Sequence, residues 1–195
     1  MNAPPFSIIC MFMILSGCII PESNHVAPDF YLLSDVRIDD NKSMGDSEIS
    51  FYLREIELPR YLKDSRMVSR PTDHTIEFRE SKRWGEPLED GIARAISLNI
   101  VNQVHSSQFA IFPNRRKDGL NWDISVTFSA FEKASEHIVI EAKWSAKDKS
   151  GALVTGSYSS ALPLEPNGGE SLEISTYNQA LDKLAKRILS SLISS

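Results

Sequence analysis

The side chains able to act as nucleophiles or metal ligands are few and scattered. The only cysteines are Cys10 and Cys18, so the rest of the chain has neither disulfide framework nor thiolate chemistry. The histidines are His25, His74, His105 and His137, and no two have the i,i+4 spacing of a helical metal site. Gly156-Ser157-Tyr158-Ser159-Ser160 lacks the second glycine of a nucleophile elbow and falls within an alternating, strand-like stretch. No glycine-rich phosphate loop is present. Neither a catalytic constellation nor a resident cofactor or metal is expected.

Cys18 has a different chemistry available. Phe6 to Leu15 is an apolar run without a charged residue, too short to cross a bilayer and suited to an export signal. It runs into Leu15-Ser16-Gly17-Cys18, which resembles a bacterial lipobox. That resemblance implies a signal peptide over 1-17, diacylglycerol on the Cys18 sulfur and an acylated new amine. Ile19 in place of aspartate implies outer-membrane rather than inner-membrane sorting. Ile20 to Pro28, with Pro21, Ser23 and Asn24, reads as a short tether, so 18-29 is the anchor segment and 30-195 the folded domain.

The densest remaining block is Phe78-Arg79-Glu80-Ser81-Lys82-Arg83-Trp84-Gly85-Glu86-Pro87-Leu88. A strand ends here, Trp84 falls in the connection and Pro87 opens a helix whose first turn holds acidic residues. Trp84 suits either a plug at the helix entrance or a surface contact.

The elements around this block follow from periodicity. Leu88, Ile92, Ile96, Ile100 and Val104 recur at helical spacing, as do Tyr177, Leu181, Leu184, Ile188 and Leu192 after the Asn167-Gly168-Gly169 break. Phe30 to Leu33 is a short strand, and Ser34 to Ser47 a polar loop. Ile49, Phe51 and Leu53 alternate, then Ile56 and Leu58 on the opposite parity, which predicts a bulged strand ending at Pro59. Short strands follow at Met67 to Arg70, Thr75 to Glu80 and Phe109 to Phe112. Trp122 to Ser129, Ile138 to Ser145 and Ala152 to Leu162 then form an antiparallel meander with one apolar face. The cheapest arrangement is an α+β, two-layer domain, a mostly antiparallel sheet with two long amphipathic helices packed on one face.

The whole chain has 195 residues, 42% apolar and 24% charged, with a net charge of −5. That balance suits one globular domain and argues against a nucleic-acid binder, which is usually basic. The basic run Arg115-Arg116-Lys117 reads as a solvated loop.

Taken in order, these segments resemble the ABC-type transport auxiliary lipoproteins, the PqiC-like family. The matching stretches are Leu15 to Cys18, Tyr31-Leu32-Leu33, Leu58-Pro59-Arg60-Tyr61-Leu62 and Met67-Val68-Ser69-Arg70. They continue through Ile76-Glu77-Phe78, Arg83 to Leu88, Gly91-Ile92-Ala93-Arg94 and Ala142-Lys143-Trp144. Gly85 and Met67 stand where the family pattern commonly has Ala and Ile. The resemblance implies a non-enzymatic auxiliary component, held at the periplasmic face of the outer membrane. It implies docking to an MCE-domain transport protein that moves lipids or other hydrophobic molecules between inner and outer membranes, and it allows a homo-oligomer. Leu58, Pro59, Tyr61, Leu62, Arg83, Trp84, Glu86 and Pro87 carry the signature and are the expected docking or assembly residues. The rival expectations are a membrane-tethered periplasmic hydrolase using Ser157 to Ser160 and a lipid-carrying cup between helices and sheet.

The anchor assignment is directly testable. Acyl chains contribute about 0.8 kcal/mol per buried methylene, so three of them hold a protein at a membrane durably. Cys18→Ser is expected to leave a soluble or uncleaved periplasmic protein on membrane fractionation, and Ile19→Asp to move part of the protein to the inner membrane. Unchanged outer-membrane fractionation of Cys18→Ser would refute the acyl anchor.

Overall fold

The computed structural model describes residues 27–33, 49–104, 108–165 and 168–194. The signal sequence, Cys18, Ile19, the loop at Ser34 to Ser47, His25, His105 and Asn167 lie outside them.

Among the described residues eight strands form one open, mixed sheet: β1 Asp29–Tyr31, β2 Phe51–Leu53, β3 Arg66–Thr72, β4 Thr75–Trp84, β5 Phe109–Ile111, β6 Trp122–Ala134, β7 His137–Asp148 and β8 Leu153–Pro163. Two helices, α1 Leu88–Val101 and α2 Gly169–Ile193, cover one face. The α+β expectation holds. The long pairings, β6 with β7, β7 with β8 and β3 with β4, are antiparallel. The short ones, β1 with β4, β2 with β5 and β6, and β3 with β6, are parallel.

β6 organises the sheet. Its whole length pairs with β7, while its other edge is shared by β2 at Trp122 to Ile124 and β3 at Lys133 and Ala134. The expected phase slip is present. Arg54 donates to the Ile124 carbonyl and Glu57 to the Val126 carbonyl, so the chain follows β6 past β2. Arg54 and Glu55 are both exposed, and Ile56 and Leu58 are buried again. The extra outward residue interrupts the ladder, so the regular strand is shorter than the alternation suggested. A second bulge between Phe128 and Ala130 leaves Ala130, Phe131 and Glu132 all buried.

Beyond Pro59 the chain makes a 3-10 turn at Arg60–Lys63 that buries Leu62. β3 and β4 run further than their apolar alternation indicated, and Trp84 is the last residue of β4 rather than part of the connection. Polar residues Ser81, Lys82 and Arg83 stay in the strand because β1 and β3 pair with it on either side. α1 ends before Val104, which remains buried just beyond it.

The helices turn their apolar stripes toward the sheet. Ile92, Ile96 and Ile100 from α1 and Leu181, Leu184 and Ile188 from α2 are fully enclosed. Leu181→Asp places a carboxylate there without a partner, at a cost of several kcal/mol against a typical total of about 5–15 kcal/mol. It is expected to abolish the cooperative thermal transition by circular dichroism. Lys183→Asp, on the exposed face of α2, is expected to melt within a few degrees of the wild type.

Candidate functional site

Three of the signature segments, Tyr31 to Leu33, Arg83 to Leu88 and Gly91 to Arg94, meet where β1, the end of β4 and the start of α1 come together. Tyr31 lies opposite Trp84 in the parallel β1–β4 ladder, and the Gly85 amide donates to the Tyr31 carbonyl at 2.8 Å. Glu86 lies just before α1, whose first residue is Leu88. Its carboxylate takes two hydrogen bonds from the Arg94 guanidinium, at 2.7 and 2.6 Å. Arg94 Nη2 also donates to the Leu33 carbonyl at 3.1 Å. A Cβ on Gly91 would stand 3.0 Å from Glu86 Oε1 and 3.5 Å from Leu33 Cδ1. Glycine at this position lets the carboxylate lie across the first helical turn. Bidentate arginine–carboxylate pairs fix geometry as well as contribute energy, and this one clamps β1, the strand through which the N-terminal segment enters.

Glu86 is therefore engaged by Arg94, while Glu89 and Asp90 alone occupy the acidic first turn of α1. Burial, then repulsion from Glu89 and Glu86, pushes the Asp90 carboxyl above its ordinary range.

Trp84 points the other way. Its indole packs edge-on to Tyr177 at 5.7 Å and tilted against Phe131 at 6.2 Å, and Tyr177 stacks on Phe131 at 4.7 Å. Trp84, Leu58 and Leu62 are core residues. Of the eight signature positions, Pro59, Tyr61, Arg83, Glu86 and Pro87 keep surface. Arg83 stands opposite Phe30 in the ladder, and Phe30 and Leu32 are 65% and 53% exposed. The result is an apolar patch beside a cation, which the motifs alone did not reveal.

Ionic contacts tie the surrounding strands together. Arg66 holds Asp64 through two guanidinium bonds of 2.9 Å, reaches Glu80 at 2.5 Å, and lies 4.5 Å over the Phe78 ring. These bonds draw the Asp64 carboxyl down to about 2. Arg70 pairs with Glu132, and Arg79 with Glu173, joining β4 to α2. Both glutamates are buried, a position that charge patterning in the sequence did not expose.

Among the described residues no group of His, Cys, Asp and Glu could hold a metal ion, and no helix is long and apolar enough to cross a membrane. Ser157 and Ser159 lie on the exposed side of β8, and Arg116 of the basic loop binds Asp123 at 2.7 Å.

The fold and this clamp define an α+β domain whose first strand is secured by a Glu–Arg pair at the entrance of its first helix. The chain belongs to the ABC-type transport auxiliary lipoprotein component family, whose model matches residues 31–189. No curated protein matches it in sequence. The fold is shared with a crystal structure of an uncharacterized protein at 14% identity and a TM-score of 0.69, covering 86% of this chain and 99% of that one. It is shared also with protein XCC0632 from Xanthomonas campestris, of family DUF330, at 13% identity and a TM-score of 0.67, covering 83% and 92% of the two chains.

Tyr61 provides a pH test of the site. Its hydroxyl reaches the Ser129 carbonyl at 3.4 Å, and burial followed by the neighbouring Glu132 carboxylate pushes its ionisation up to about 12. A raised folded-state value contributes stability that is complete below the unfolded value near 10 and is lost as pH climbs toward 12. Tyr61→Phe is expected to flatten the fall in stability across that interval, measured by urea unfolding at successive pH values.

Proposed function

We propose that this chain is the outer-membrane-anchored auxiliary component of an MCE-type ABC transport system, which moves lipids or other hydrophobic molecules between the two membranes. Acylated Cys18 holds it at the periplasmic face, 18-29 tethers it, and 30-195 acts as the docking domain without catalysis. The family match carries the transport role. The observation that supports docking near the tether is the exposed pair Phe30, on the strand that the Glu86–Arg94 clamp secures, and Leu32, just beyond it, with Arg83 opposite Phe30 in the ladder. Apolar side chains next to arginine are a common makeup of interface centres. Pro59, Tyr61, Glu86 and Pro87 are the further contact candidates. Leu58, Leu62 and Trp84 serve assembly from within, by shaping the surface that the others present.

The decisive experiment isolates the acylated protein with its membrane partners. Arg83→Ala and Phe30→Ser are each expected to reduce recovery of an MCE-domain protein about tenfold or more, by quantitative mass spectrometry, with a near-normal melting temperature. Full recovery with both variants would move the docking surface elsewhere. Recovery of the protein without any MCE-domain component from wild-type membranes would refute the partnership itself.

A further inference from the structure

β8 is an unusual edge strand. It runs for 11 residues, and among the described residues only β7 pairs with it. The edge strands on the opposite side, β1 and β5, have three residues each. Long edges are normally blunted by charge, proline or a bulge. β8 carries no charged residue, its only proline is the last residue, Pro163, and its register with β7 is unbroken.

Beside this edge runs a groove with α2 as its other wall. One part, of about 540 Å³, is lined by Gly156 to Ser159 and by Arg187, Ser190 and Ser194. A second part, of about 420 Å³, shares Tyr158, Arg187 and Ser190 with the first and adds Lys183 and Lys186. Trp144 forms the floor. A Cβ on Gly156 would stand 2.1 Å from its indole, and the indole nitrogen donates to Ser191 at 3.3 Å. Neither part has a carboxylate in its lining, although the chain as a whole has an acidic excess. Lys186 is paired with Asp182 at 2.6 Å, and among the described residues no carboxylate pairs with Lys183 or Arg187.

We propose that this groove takes an extended acidic segment of another protein, added to the sheet as a ninth strand along the free edge of β8. Main-chain hydrogen bonds to the edge would supply the binding mode, and alternate side chains the selectivity. Alternate residues of a strand are about 6.6 Å apart, and Lys183 and Arg187, four residues apart on a helix, are about 6 Å apart. A segment lying along α2 with carboxylates at every second position therefore meets both cations. A second copy of this chain is the poorer occupant. Edge-to-edge pairing about a two-fold axis would bring the cationic walls of both α2 helices toward each other, and like charges oppose such contacts. The proposal concerns the sheet edge opposite the β1 patch and does not depend on the docking surface put forward there.

The test uses the full-length chain in mild detergent and a fluorescein-labelled, end-blocked peptide, Thr-Glu-Val-Glu-Val-Glu-Thr. The expected result is saturable binding by anisotropy that weakens with added salt. Amide exchange should slow across the β8 segment. Lys183→Glu combined with Arg187→Glu, both at positions remote from the core, should lower affinity about tenfold or more with a near-normal melting temperature. A version with lysine for glutamate should not bind, nor should one with a central proline, which cannot continue a ladder. The proposal is overturned if the glutamate peptide does not bind, if the lysine version binds equally, or if the double variant binds unchanged. It is overturned also if β8 becomes protected with rising protein concentration alone, which would assign the edge to a second copy. Protection of β8 by phosphatidylglycerol vesicles but not by the peptide would assign the groove to a membrane surface. The assay contains no transport component, so its failure leaves the MCE partnership standing, and failure of that partnership leaves the assay intact.

Discussion

The contact on which most of the architecture depends is the aromatic cluster of Trp84, Tyr177 and Phe131. It joins the end of β4, the N-terminal half of α2 and the bulged end of β6. Each ring buries a large apolar area, and such pairs contribute roughly 0.5–1.5 kcal/mol beyond that burial. The bulge in β6 places Phe131 under Tyr177, and Phe128 then meets Phe131 edge-on at 5.9 Å. With Trp84 held inward, the residue before it and the turn after it have defined directions. Arg83, half-buried, lies on the strand face opposite Trp84 and across from Phe30 in the ladder, and Gly85 meets β1.

From that fixed point the signature makes mechanical sense. β1 has three residues and, among the described residues, pairs only with β4, so on its own it would fray. Three interactions secure it: the amide of Gly85 on Tyr31, the guanidinium of Arg94 on Leu33, and the Glu86 carboxylate that orients Arg94. Under the anchoring at Cys18 proposed above, a pull from the membrane would enter the domain through this strand first.

The same sheet treats its two sides differently. On the β1 side the edges are short, and the ionic contacts of Arg66, Arg79 and Lys82 with carboxylates crowd the neighbouring strands. On the β8 side a long uncharged edge, with no second partner among the described residues, lies beside a cationic helix wall.

Much of this was legible in the chain itself. The two helices, the meander, the slip between Leu53 and Ile56 and the α+β class follow from periodicity, because side-chain direction is a local property of the backbone. The family, too, was legible from short motifs in order. Tertiary structure decided the rest. Trp84 suited core or surface equally until Tyr177 and Phe131, far away in sequence, supplied its partners. Glu86 looked like a residue of the helix's first turn until Arg94 and Gly91 gave its carboxylate a place. Glu132 and Glu173 gave no sign of burial, because their arginines arrive from β3 and β4. The parallel pairings of β1, β2 and β3 join segments separated by long stretches of chain, and no local pattern encodes which edge a short strand will take. Local preference sets what each segment is, and long-range packing sets which of its faces is left for a partner.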